Sequence, residues 1–169
     1  PILDSMIIIA STEQNKIIAI NIKRSVEHLL QRSFAPGFKL YDKTSNLISL
    51  SDYRGKYVYL NFVSYQSGAS RRELSLIPEL QKEFKNKIVF VSISVDENFS
   101  NFLELTLNNN YDWEFLSINN QTDILKYYKV KSFPTCFLID PYGKLILIPA
   151  KLPSEGFNNQ FYRILNAVN

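Results

Sequence analysis

Ser67 and Ser70, separated by Gly68-Ala69, stand where an apolar run gives way to a charged one, and they are the first residues whose spacing suggests chemistry. Tyr57-Val58-Tyr59-Leu60-Asn61-Phe62-Val63 is β-branched and aromatic, Ser64 to Ala69 is mostly small, and Arg71-Arg72-Glu73 opens a charged, leucine-containing pattern. That is a strand, a tight turn and the start of an amphipathic helix. Ser67 falls where a helix N-cap belongs, so its oxygen is expected to accept a bond from the N–H of Ser70 or its neighbour. As a nucleophile, a neutral hydroxyl needs an adjacent base. The single histidine, His28, lies far upstream, and a Ser-His hydrolase has no support. Cys136 is the only cysteine, which excludes an intramolecular disulfide. In the apolar run Cys136-Phe137-Leu138-Ile139 it reads as a small packed hydrophobe. Facing a groove at a helix N-terminus, it would instead be a single thiol able to form mixed disulfides.

Other chemistries find little to build on. One histidine, one cysteine and scattered carboxylates do not make a spaced metal site, and no glycine-rich phosphate loop is present. Arg71 and Arg72 read as a solvated face; the functional alternative is an anion or acidic-peptide contact at the N–H groups of Gly68 and Ala69. Tyr111, Trp113, Tyr127 and Tyr128 read as core and rim. Of 169 residues, 46% are apolar and 21% charged, the composition of a globular chain. The net charge of +3 comes from 19 basic and 16 acidic residues with no long basic run, which gives nucleic-acid binding no support. No apolar run approaches the roughly 20 residues that cross a bilayer. The chain begins at Pro1 and is expected to be a processed or excised C-terminal piece, so membrane attachment would come only through an N-terminal anchor absent from it.

The elements that must position the two serines follow from periodicity and punctuation. Ser11-Thr12-Glu13-Gln14 has capping-box form, and Ile18, Ile22, Val26, Leu29 and Leu30 recur at helical spacing up to Phe34, with Leu3 to Ala10 read as a shorter helix ahead of them. Ala35-Pro36-Gly37 ends that helix and sets the boundary between an extension, residues 1–34, and a domain, residues 35–169. Phe38 to Tyr41 and Leu47 to Leu50 form a hairpin. After the Tyr57–Val63 strand comes one helix through Leu74, Ile77, Leu80 or Gln81 and Phe84, kinked at Pro78. Ile88 to Val95 is a doubly covered parallel strand. Phe99–Leu107 and Thr122–Tyr128 are helices around a short extended piece, Trp113–Ser117. Cys136–Ile139 and Leu145–Ile148 pair across the turn Asp140-Pro141-Tyr142-Gly143. Phe157 to Val168 closes as a helix with Phe161, Ile164, Leu165 and Val168 inward. The predicted fold is α/β: a mixed central sheet with helices on both faces, plus an N-terminal hairpin and a helical extension.

Ala35-Pro36-Gly37-Phe38 ahead of Leu50-Ser51-Asp52-Tyr53-Arg54-Gly55-Lys56 and Val58-Tyr59-Leu60-Asn61-Phe62, with Val130-Lys131-Ser132-Phe133-Pro134-Thr135-Cys136-Phe137-Leu138-Ile139-Asp140 downstream, resembles the thioredoxin-like TlpA and ResA type thiol-disulfide oxidoreductases, kin of the AhpC/TSA peroxiredoxins. The resemblance runs from about Ala35 to the C-terminus and implies a three-layer thioredoxin-like fold. In the family a Cys-x-x-Cys pair occupies the strand-turn-helix junction; those positions are Ser67 and Ser70 here. Glu73 matches a carboxylate that tunes thiol acidity. The proline matching Pro134 is cis, and the residue before it, here Phe133, faces a groove that receives extended peptides. The implied groove comprises Gln66, Ser67, Gly68, Ala69, Phe133, Pro134 and Thr135. Departures cluster there, since Val63 and Gln66 stand where the family often has tryptophan and the helix proline comes later, at Pro78. The resemblance thus implies a redox-inactive peptide- or protein-binding module without cofactor or metal, in the periplasm or cell envelope. Its rivals are an active oxidoreductase whose cysteines were exchanged for serine, and a structural accessory domain of a larger envelope protein.

Overall fold

The computed structural model describes residues 32–96, 98–107 and 111–168. The helices expected between Leu3 and Leu30 lie outside the described residues. Among the described residues seven strands form one mixed sheet: β1 (Lys39–Asp42), β2 (Leu47–Ser49), β3 (Tyr57–Val63), β4 (Ile88–Ser94), β5 (Glu114–Ser117), β6 (Thr135–Ile139) and β7 (Leu145–Ala150), in the order β2-β1-β5-β4-β3-β6-β7. β3 pairs parallel with β4, and β4 with β5, whereas β6 runs antiparallel to both β3 and β7. Among the described residues five helices, α1 (Gly68–Leu74), α2 (Ile77–Glu83), α3 (Phe99–Leu107), α4 (Asp123–Tyr127) and α5 (Phe157–Val168), cover the faces.

β3 is central because it can be buried on both sides. Its two-residue alternation sends Tyr59 and Val63 to one face and Val58, Leu60 and Phe62 to the other. The first face packs against Leu74 of α1, Ile77 and Leu80 of α2, Phe102 of α3, and Phe157 and Phe161 of α5. The second packs against Ile124 of α4, Tyr128, and Phe38, Leu40 and Leu50 from the β1–β2 region. Phe62 lies fully buried between the rings of Tyr128 and Phe137, at centroid separations of 5.2 and 5.9 Å. The Tyr128 hydroxyl donates to the Pro36 carbonyl at 2.7 Å, pairing the polar end of that buried ring.

Three sequence expectations change in the structure. The predicted helix does not reach Phe34: Arg32 has φ +72°, and residues 32–35 pair with residues 143–145, where the turn enters β7, through Arg32 N–H to Leu145 O, Leu145 N–H to Ser33 O and Ala35 N–H to Gly143 O. Backbone groups already bonded to a strand are not available to a helix. The helix expected to kink at Pro78 is two helices instead, α1 and α2, broken at Ser75-Leu76. Pro78 occupies the first turn of α2, where its missing N–H has no intrahelical acceptor to lose. Phe38 and Leu50, expected in the hairpin strands, fall just outside them, and Leu50 begins a 3-10 turn to Tyr53 capped by Ser49. The β6–β7 turn is as expected, with Gly143 at φ +81° and the Asp140 carboxylate accepting from the N–H groups of Tyr142 and Lys144.

Candidate functional site

The site is built where β3 ends. Ser67 caps α1 with its own backbone extended (φ −84°, ψ 111°), and its Oγ accepts the N–H of Ser70 at 3.2 Å. The same hydroxyl donates to the carbonyl of Phe133 at 3.2 Å. One side chain therefore ties the turn after β3 to the loop before β6, 66 residues later. The Phe133–Pro134 peptide is cis. The Phe133 ring lies half-buried against the Val58/Leu60/Phe62 cluster, and its carbonyl turns towards Ser67. Thr135 Oγ1 donates to the Ser132 carbonyl at 2.6 Å, closing the loop on itself. Gln66 and Gly68 are exposed, and Ser67, Ala69, Pro134 and Thr135 are half-buried.

Ser70 and Glu73 face the other way. Ser70 is fully buried, its Oγ accepting the Ser64 N–H at 3.3 Å. Glu73, 5% exposed, accepts the backbone N–H of Ser154 at 3.0 Å on one oxygen and its hydroxyl at 2.7 Å on the other. The carboxylate that resemblance links to thiol acidity thus holds α1 to the 3-10 turn Pro153–Glu155.

Cys136 lies inside the sheet, 2% exposed, directly opposite Asn61 in the β3–β6 register. Burial pushes its thiol up to about 12, and the nearby Glu73 and Glu155 carboxylates push in the same direction against a contact with Tyr59. A buried thiol held protonated is a poor nucleophile at neutral pH. Among the described residues no cluster of three or more His, Cys, Asp or Glu could hold a metal ion.

Two features of the site escaped sequence reasoning. Asp96, just beyond β4, accepts from Ser64 Oγ at 2.9 Å, Tyr65 N–H at 2.7 Å and Ser94 Oγ at 2.8 Å, and so clamps the loop that carries Ser67. A Ser-Val-Asp sequence after a strand carries no motif that announces this; only the parallel β3–β4 pairing brings Asp96 beside Ser64. Tyr65 is the second: its hydroxyl donates to Glu104 at 2.6 Å, while Arg71 donates to its carbonyl and lies over its ring at 5.8 Å. Arg71 is thereby partly committed to the turn rather than free as a solvated charge.

A capped helix N-terminus at the end of a central strand, on a seven-stranded mixed sheet of this order with helices on its faces, is the arrangement of the thioredoxin-like class. A family model described as thioredoxin-like matches residues 55–145, more than half of the chain, and the chain belongs to that family. Its similar relatives include the thiol-disulfide oxidoreductase ResA of Bacillus subtilis (strain 168), 28% identical over 144 residues, covering 82% of this chain and 78% of the relative. ResA of Bacillus thuringiensis subsp. konkukian is 34% identical over 117 residues, covering 66% of this chain and 65% of the relative. Among solved structures, a protein of Chlorobium tepidum assigned to the thiol:disulfide interchange proteins DsbE superposes with TM-score 0.72 at 26% identity, covering 83% of this chain and 99% of its own. The thioredoxin domain of a Bacteroides vulgatus thiol-disulfide oxidoreductase gives 0.73 at 23% identity, covering 80% and 98%, a likeness of fold.

Proposed function

We propose that this chain is a thioredoxin-like peptide- or protein-binding module that, as written, does not turn over disulfides. The observation that carries the reading is the Ser67 hydroxyl bonded to the Phe133 carbonyl. Where the family resemblance places a nucleophilic sulfur, a hydroxyl bridges the two walls of the implied peptide groove. Thiol-disulfide exchange needs a thiolate to attack and a second sulfur to resolve the mixed disulfide. The only sulfur nucleophile in this sequence is Cys136, buried and held protonated. The rim of Gln66, Ser67, Gly68, Ala69, Pro134 and Thr135 would receive an extended segment of a partner, with main-chain hydrogen bonds supplying affinity and side-chain pockets the selectivity. The module is taken as residues 35–169, in the periplasm or cell envelope, where the resemblance puts it.

Two measurements on the chain as it exists test this. In a dithiothreitol-coupled assay with a model protein disulfide, the expected rate equals the protein-free background; turnover above it ends the redox-inactive reading. In a titration with a panel of extended peptides followed by amide chemical shifts, perturbations are expected to concentrate at residues 66–69 and 131–135. Shifts elsewhere only, or none across the panel, would overturn the groove assignment.

A further inference from the structure

A groove lies between β7 and α5 at the end of the sheet opposite the Ser67 turn, where β3 begins beside the turn that follows β6. Tyr57, Tyr142, Leu147, Ile164 and Ala167 give it an apolar lining, and Arg32 forms one wall. Its volume, about 510 Å³, is that of a binding pocket. The Tyr142 ring is 75% exposed, and Tyr57, Leu147 and Ile164 are only half-buried. Asp140, the one acid in the lining, already accepts from the N–H groups of Tyr142 and Lys144. The groove therefore offers apolar surface and little of the convergent polar chemistry that fixes a small ligand.

The chain itself supplies an occupant. Arg32 is both a wall of the groove and the first of the described residues. Ala35, Phe34 and Arg32 pair in turn with residues 143, 144 and 145 in antiparallel sense, and that pairing, followed back past Arg32, points along β7 towards Leu147. Ahead of Arg32 stand Ile18, Ile22, Val26, Leu29 and Leu30, an apolar stripe at helical spacing, with Lys23, Arg24, Glu27 and His28 between them. A single helix of about 20 residues is marginal in water, so such a stripe needs a surface to cover it. Leu30 is two residues from Arg32, a span of at most about 7 Å, which keeps the end of the stripe within reach of the groove. Tethering also holds it at about millimolar effective concentration, an advantage that a separate partner must make up in affinity. We propose that the groove between β7 and α5 is a docking site for this chain's own residues 18–30, seated by Leu29 and Leu30 against Tyr142, Leu147 and Ile164. The contact braces the end of the sheet away from Ser67 and does not occlude the Ser67 turn.

The full chain provides the test. Methyl nuclear Overhauser contacts are expected between Leu29 or Leu30 and Leu147 or Ile164, and a mixture of labelled and unlabelled protein is expected to show them within one molecule. Contacts of Leu29 and Leu30 with a different surface, contacts only between molecules, or none at all overturn the proposal. Trypsin cleavage after Lys23 and Arg24 is expected to be at least about tenfold faster in the double variant Leu29→Asp, Leu30→Asp than in the unaltered chain, the factor that about 1.4 kcal/mol of docking supplies. Both substitutions fall outside the sheet and its covering helices, so the variant keeps the groove; an equal rate overturns the docking. Tyr142→Ser alters the groove at a position whose side chain is already exposed, and is expected to speed the same cleavage. A rate unchanged in that variant overturns the assignment of this groove.

Discussion

Cys136 is a residue whose chemistry its buried surroundings alter strongly, and its protonation has a direct consequence for stability. Its ordinary value of 9.0 is raised to about 12 in the folded chain by burial. Below about 9 the thiol is protonated folded and unfolded, and it adds no pH dependence. Between about 9 and 12 the unfolded state loses the proton while the folded state keeps it, so stability falls as pH rises, by up to about 1.4 kcal/mol per pH unit from this group. Buried Tyr59 and Tyr128 are shifted upward too and act in the same direction. Urea denaturation at a series of alkaline pH values should show this fall, and Cys136→Ala should flatten it without abolishing it. A thiol reagent at neutral pH should leave native Cys136 unmodified and react once the chain is unfolded; rapid native labelling would contradict its placement. Glu73 is argued at the same scale. Losing both bonds to Ser154 in Glu73→Ala should cost about 2 kcal/mol, and Ser154→Ala, which keeps the backbone bond, about 1 kcal/mol. The two should couple in a double-mutant cycle read by denaturation.

Elements take their positions from how their ends are satisfied. α1 has only seven residues, too short to be stable by propensity, so its cap and its packing carry it. Ser67→Ala removes the acceptor for the Ser70 N–H and the bond to Phe133 together, and should lower stability by about 1–2 kcal/mol in thermal or chemical unfolding. Amide exchange should quicken at Ser70 and in the 131–135 loop with it. Ser67→Asp, which keeps a cap acceptor but cannot donate to Phe133, separates the two effects. α2 is the contrasting case. Because Pro78 sits in its first turn, Pro78→Ala should change the unfolding midpoint little, whereas a proline inside a continuous helix would hide a gain of about 3 kcal/mol on replacement. A large stabilisation would mean that α1 and α2 are one strained helix after all. Asp96→Ala belongs here as well, since it frees the β3–α1 loop from β4. It should cost about 2–3 kcal/mol and broaden the amide signals of Ser64 and Tyr65.

At the scale of the whole molecule the sheet sets the order of stability. β3, β4 and β6 have partners on both sides and are almost wholly buried, while β2 is a three-residue edge strand. Hydrogen exchange should be slowest at residues 58–62, 90–93 and 136–139 and fastest in the β1–β2 hairpin. The sequence by itself determined the strands and most helices, because burial on one or both faces leaves a period of 2 or 3.6 in the order of apolar residues. It likewise carried the junction at Ser67, through the apolar run that ends there and the charged pattern that follows, and the Phe133-Pro134-Thr135 segment through resemblance. What it left undecided depends on partners distant in the chain. The Ser67–Phe133 bond spans 66 residues, the Glu73–Ser154 bond 81, and the Asp96 clamp 31 or 32. Pro78 reads as a kink until the backbone of Ser75 and Leu76 is seen to break. A hydrogen bond between remote segments leaves no periodic trace, since it requires only one donor and one acceptor; the folded sheet alone decides which pairs meet, and here those pairs make the site.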